Sequence, residues 1–193
     1  MANSNTQGYG LIPVSTLGSS PSTQGQSAYK IAAAVGTSIY NGAPVKSAAG
    51  YVVEGTNVTT GTNSQMGVLN GIFYNAATTL KPTWANAYIA TITPANSEDT
   101  TAFILDNPWQ NYQIATDDAF AQTKHMQTFN MNAAAGSDVT GKSSNTIDVA
   151  SENATTYSWR VLRIADDPSN SDIALAYLSI VVVANLNEFK DSA

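Results

Sequence analysis

The stretch Ile173–Phe189, IALAYLSIVVVANLNEF, is the longest apolar run in the chain, and its reading decides the fold. Read with a period of two, it is apolar on both faces: Leu175, Tyr177, Val181 and Val183 on one, Ala176, Leu178, Ile180 and Val182 on the other. Ile180–Val183 is an unbroken β-branched run, stiff at χ1 and better suited to a pleated surface than to a helix. A membrane-spanning helix needs about 20 apolar residues, and this run ends sooner, in Asn185, Asn187 and Glu188. The expectation is a long central strand near the C-terminus, buried on both sides for most of its length.

Working outward, the rest of the chain suits the same architecture. A length of 193 residues fits one domain with a single good core, or a domain plus an arm. Charged residues make up only 11%, against about 25% in ordinary soluble proteins. Ser, Thr, Asn, Gln and Gly replace them, supplying hydroxyls and amides for turns and sheet surfaces. The net charge is −6, and the eight basic residues are scattered. Counterion release from a polyanion needs clustered Lys and Arg, so nucleic acid is not an expected partner, and no membrane partner is expected. There is no cysteine, hence no disulfide framework and no thiolate metal site. The opening MANSNTQGYG is polar and uncharged, unlike a secretory signal or transit peptide. Asn57-Val58-Thr59 and Asn153-Ala154-Thr155 match the glycosylation sequon and read as incidental.

Residues 1–28 read as an N-terminal arm, polar except for the island Tyr9-Gly10-Leu11-Ile12-Pro13-Val14. Pro13 removes a donor and disfavours helix at Ile12, so the island should be extended and should dock on its own domain or on a neighbour. Residues 29–189 form the β-rich domain and 190–193 a short tail. Within the domain, Tyr29–Val35, Ser38–Tyr40, Gly50–Val53, Met66–Tyr74, Tyr88–Thr93, Ala102–Leu105, Tyr112–Thr116 and Ser158–Ile164 read as strands. Asn41-Gly42 is a turn signal. Asp117 or Asp118 could cap a short helix carrying Phe120, Lys124 and Gln127 within 117–129, though its apolar spacing is weak, and 132–146 reads as a polar loop. Short strands with few helices argue for an all-β sandwich or jelly-roll-like domain. The repeat of Gly55-Thr56-Asn57 as Gly61-Thr62-Asn63 is too short for a solenoid.

Candidate chemistry is sparse. Gly136–Ser143 matches G-x-x-x-x-G-K-S/T, in which Lys142 would reach phosphates and Ser143 a magnesium ion. The following SNTIDVASENATT is a poor helix, Asp138 puts negative charge in the loop, and no alternating strand–helix pattern is present. His125 is the sole histidine, and no G-x-S-x-G elbow accompanies it. The pairs Glu98-Asp99, Asp117-Asp118 and Asp166-Asp167 lack calcium-loop spacing. The expectation is a protein that is not an enzyme and holds no cofactor or metal. Among the spread aromatics, Trp84 and Trp109 lie in proline-containing connections, where such residues are often half-buried or part of an interface.

Several blocks, taken in order, resemble one family. Tyr9–Val14, Tyr29-Lys30-Ile31-Ala32 and Thr37–Val45 are similar to the opening of tailed-phage capsid decoration, or cement, proteins. Gly67–Tyr74 resembles the next block, and Ala102–Pro108 with Tyr112-Gln113-Ile114 the one after. Leu162-Arg163-Ile164, Pro168-Ser169-Asn170 and Val183–Phe189 resemble the close. The chain departs from the family at Ile12, where Arg or Lys is commoner, and at Glu188, where His is.

The resemblance implies a compact β-sandwich or jelly-roll-like domain on the outer surface of an icosahedral phage capsid. It further implies a homotrimer, bound to the major capsid protein as a structural virion component that stabilises the head. Tyr9, Leu11, Ile12, Pro13, Val14, Trp84 and Trp109 are the expected contacts with the capsid or between subunits. The alternative is a phage fibre or host glycan-binding module gripping sugars through Trp84, Trp109 or the Asn/Thr-rich loops.

Overall fold

A computed structural model describes residues 3–18, 21, 25–33, 35–55, 64–132, 134, 136–170 and 172–190. The turn residues that cut the sequence into short apolar pieces cut these residues into strands, and the only helices among them are two short 3-10 turns. The strands form two six-stranded sheets. The fold is all-β, with the two antiparallel sheets packed together as a sandwich.

One sheet holds β2 (Ser27–Ile31), β3 (Pro44–Ala48), β4 (Tyr51–Glu54), β5 (Gly67–Asn75), β6 (Pro82–Ala85) and β7 (Thr100–Leu105). Its order is β2-β7-β5-β3-β4, with β6 also on β5. The long β5 serves two strands on one side, β3 near Gly67 and Val68 and β6 from Ile72 to Asn75. The other sheet holds β1 (Ile12–Thr16), β8 (Gln110–Ala115), β9 (Thr128–Asn132), β10 (Thr146–Asn153), β11 (Trp159–Ile164) and β12 (Ser179–Ala184), in the order β1-β8-β12-β11-β9-β10. Successive strands stay in one sheet except at the β1–β2 and β7–β8 connections. Each sheet is thus built from a nearly contiguous half of the chain, unlike the paired Greek keys of a jelly roll.

The C-terminal sheet curls until its last strand meets its second. Ile147 of β10 bridges Thr116, just past β8, and the Asp117 N–H donates to the Ile147 carbonyl. The Asp117 carboxylate completes the closure, accepting from the Val149 N–H at 2.9 Å and the Asn132 amide at 2.6 Å. Inside lie Tyr112, Ile114, Phe129, Ile147, Trp159, Val161, Ile180 and Val182, with Phe120 and Leu178. A second core, with Ile31, Val45, Leu69, Ile72, Tyr88 and Ile104, fills the N-terminal sheet. Val68 and Leu105 of that sheet belong to the first core, so β5 and β7 bury opposite faces in different cores. The Tyr112 hydroxyl, driven to a raised pKa by burial, donates across this seam to the Leu105 carbonyl at 3.0 Å.

The deciding stretch is a central strand, but a shorter one than its composition suggests. β12 begins at Ser179, and all six of its residues are buried between β8 and β11. Fully burying a Val or Ile side chain contributes roughly 1.5–3 kcal/mol, so the four from Ile180 to Val183 are a large share of what holds β12 in its sheet. Residues 173–177 are turns and bends, with Ile173 and Leu175 exposed. Tyr177 has φ 59°, a left-handed conformation that no strand accommodates. The carbonyls of Asp172, Leu175 and Ala176 accept instead from the Asn3 side chain, a contact far outside the local sequence.

Other expectations also change. Of Tyr88–Thr93 only Tyr88 pairs, with Ile39. Residues 117–129 hold a single 3-10 turn, Gln122–Lys124, before β9 starts at Thr128. The Asn57 sequon and the Gly55/Gly61 repeat lie, wholly or in part, outside the described residues.

The described residues of the N-terminal arm are built into the domain. β1 is the edge strand of the C-terminal sheet, pairing Ile12 with Gln113 and Pro13 with Tyr112. Leu11 is 2% exposed and part of the first core. Gly8 and Gly10 pass so close to other backbone that side chains do not fit. A Cβ on Gly10 (φ 74°) would stand 2.9 Å from the Gly42 carbonyl oxygen.

Candidate functional site

The phosphate-loop match does not form a phosphate cradle. Its backbone N–H groups are turned inward: Ser137 donates to the Lys142 carbonyl, Gly141 to Ser137 and Ser143 to Asn41. The Thr140 and Lys142 N–H groups go to the side chains of Ser137 and Thr140. A phosphate needs those donors free and a helix start behind them, whereas here the chain runs into β10. Gly136 answers a packing need, since a Cβ there would run into the Tyr40 ring.

His125 sits with Nδ1 2.7 Å from the Gln122 carbonyl and its ring edge-on to Phe120 at 5.6 Å. Both contacts are structural. The acidic pairs fasten turns and strand ends. Glu98 accepts from Asn75, Asp99 from the Ala33 N–H, and Asp118 from the Ala119 N–H. Asp166 pairs with Arg163 at 2.9 Å. Asp167 accepts from the Ser169 N–H and hydroxyl, which hold its carboxyl below the usual range. No group of three or more His, Asp or Glu side chains able to hold a metal is present among the described residues.

The residues expected at an interface separate into three groups. Tyr9 and Leu11 face inward. The Tyr9 hydroxyl is 2.8 Å from the Ser179 hydroxyl, and its burial raises the phenol pKa. Leu11 is buried in the core of its own chain. Ile12 and Val14 are exposed on β1, with half-buried Pro13 between them, and Leu17 continues the apolar row. The Leu17 N–H donates to the Trp109 carbonyl at 2.8 Å, which brings exposed Trp109 into this second group. The Lys190 ammonium lies 4.1 Å from the centre of the Trp109 ring. This cation–π contact holds the indole in place.

Trp84 stands apart, on the N-terminal sheet. It pairs across strands with Phe73, and its ring lies 5.1 Å from that of Phe103. A Cβ on Gly71 would stand 2.4 Å from the Trp84 ring, so glycine is what lets the indole lie down on the sheet. The sequence gives the aromatic of β6 but not its companions. Bringing Phe73, Phe103 and Gly71 beneath it requires the register of three strands.

The expected contact residues that are exposed therefore fall on two surfaces, one at β1 and Trp109 and one around Trp84. Comparison with family models, with curated proteins and with solved structures yields no match to this chain.

Proposed function

We propose that this chain is a structural virion protein, a decoration protein that binds the exterior of an icosahedral phage head and stabilises it. The carrying observation is the exposed pair Ile12 and Val14 on an edge strand paired with β8, with exposed Leu17 just past its end and hydrogen-bonded through its backbone to exposed Trp109. A rigid edge bearing large exposed side chains suits contact with another protein, at low cost in lost conformational freedom. Pro13 lacks an N–H and Ser15 bridges Pro21, so the edge is blunted against strand addition. The side chains, rather than the backbone, are the means of contact. The acidic, charge-poor composition fits an outer surface kept away from packaged DNA, and the block-by-block resemblance to decoration proteins points the same way.

The mechanism is a differential affinity. A protein that binds the expanded shell better than its immature or ruptured forms shifts the equilibrium toward the expanded one. A homotrimer bridging neighbouring copies of the major capsid protein would add weak contacts into a durable clamp through effective concentration.

Electron cryomicroscopy of purified heads tests this reading. Density for the chain on the outer surface, lost in Ile12→Asp and Trp109→Ala, is the expected result. Absence of the chain from mature heads, or full occupancy by both variants, refutes it.

A further inference from the structure

We propose that the outer face of the N-terminal sheet, centred on Trp84, is a binding site for a neutral saccharide. The strand registers place Lys30, Thr101, Phe73 and Trp84 in one row across β2, β7, β5 and β6. Gly71 lies in the next row, paired with Phe103. Trp84 is 52% and Phe73 40% exposed, large values for aromatics already packed on a sheet. At its other end this face is covered, since Val68 and Leu105 enter the C-terminal core. The aromatic end is left open.

What surrounds the rings identifies the occupant. Beside Phe73 runs a groove of about 220 Å³ lined by Lys30, Asn75, Glu98 and Thr101 among others. With Asp99 also in the lining, the groove carries both donors and acceptors: the Lys30 ammonium donates to the Thr101 hydroxyl at 2.9 Å, and the Asn75 amide to the Glu98 carboxylate at 3.3 Å. A pyranose has the complementary form. The C–H groups of one ring face carry slight positive charge and stack on the negative face of an aromatic ring. The equatorial hydroxyls around its edge both donate and accept.

Glu98 at the rim and the net charge of −6 disfavour uronic and sialic acids. A neutral sugar with equatorial hydroxyls remains. The other exposed tryptophan is not equivalent, because the Lys190 ammonium already occupies a face of Trp109. The proposal stands whether or not the chain resides on a phage head.

The test is titration of the ¹⁵N-labelled full chain with cellobiose, maltose, lactose and diacetylchitobiose, followed by NMR. The chain has three tryptophans, so three indole N–H signals report. At least one sugar should shift the Trp84 indole and the Gly71 amide while leaving Trp109 and Trp159 in place. Trp84→Ala should weaken that binding by about tenfold or more, about 1.4 kcal/mol. Since Trp84→Ala removes packing from β6, Trp84→Phe and Asn75→Ala accompany it. The first should bind within about threefold of the parent and the second more weakly. Trp109→Ala should bind as the parent does. No indole shift with any of the four sugars at about 50 mM, or equal binding by Trp84→Ala, overturns the proposal. So does loss of head occupancy in Trp84→Ala without any sugar response, which would make this face a protein interface.

Discussion

Leu11→Ala tests whether the N-terminal segment is part of the folded body. Leu11 is 2% exposed and belongs to the same core as Ile114, Phe129 and Trp159. The substitution deletes three carbons, a transfer loss of roughly 2.4 kcal/mol at about 0.8 kcal/mol per methylene. The cavity adds to this, because flanking β1 is held by its pairing with β8 and cannot collapse freely. A total of about 3–4 kcal/mol follows, within the range for buried leucines. With a urea m-value of about 2 kcal/mol/M, the unfolding midpoint should fall by roughly 1.5–2 M. Ile12→Ala, next in sequence but 47% exposed, should cost under about 1 kcal/mol. Urea titration followed by the fluorescence of buried Trp159 measures both. A Leu11→Ala midpoint within about 0.3 M of the parent at unchanged m would refute the integrated segment. Removal of residues 1–15 should for the same reason abolish the native fold, and a stable truncated domain would refute the reasoning again.

Three further perturbations probe the closure, the electrostatics and the glycines. Asp117→Ala removes the carboxylate that accepts from Val149 and Asn132, and should cost about 2–4 kcal/mol in urea unfolding, since hydrogen bonds to charged groups are worth about 1.5–3 kcal/mol each. Asp118→Ala, which removes a carboxylate that accepts from the adjoining Ala119 N–H, should cost under about 1 kcal/mol. Burial raises the pKa of the Glu54 carboxyl above its ordinary value of 4.5. The folded chain therefore holds that proton longer than the unfolded one, and the stability linked to it is full below pH 4.5 and lost as pH rises through the folded value. Glu54→Gln should raise Tm at neutral pH and leave it unchanged at about pH 3.5; an equal rise at both would show that burial of charge is not the cause. Gly10→Ala, at φ 74° against the Gly42 carbonyl, should lower Tm markedly, whereas Gly18→Ala (φ 90°, with open space around it) should show only the backbone penalty.

The parts of the fold legible in the sequence are those where side-chain chemistry and backbone preference agree. Ile180–Val183 is β-branched throughout and is a buried strand. Gly67–Asn75 lies within one residue of the expected stretch at each end. The misread parts are those settled by distant residues. Ile173–Leu178 is as apolar as a strand, yet its carbonyls bond Asn3 from the far end of the chain. β9, TFNMN, is hidden because Asn130 looks like loop, although it is buried and its N–H donates to the Ser151 hydroxyl. β3 opens with a proline and carries Lys46 and Ser47, so no period-two pattern announces it. The candidate surfaces were half legible. Trp84 and Trp109 stand out in the sequence as aromatics in connections. That one is backed by Phe73, Phe103 and Gly71 and the other capped by Lys190 depends on strand register and chain return. Leu11 and Ile12 are indistinguishable as letters, and only the pairing with β8 turns one inward and the other out.

The passage of β1 into the far sheet also sets a timetable for synthesis. Ile12 is paired with Gln113, so the first strand made must wait for about a hundred further residues, some 5–20 s at ribosomal speeds of about 5–20 residues per second. The strands from β2 to β7 can close upon one another in that interval. The earliest-born segment is then among the later ones to be seated, and until it is, its apolar side chains are open to any nascent neighbour on the same messenger.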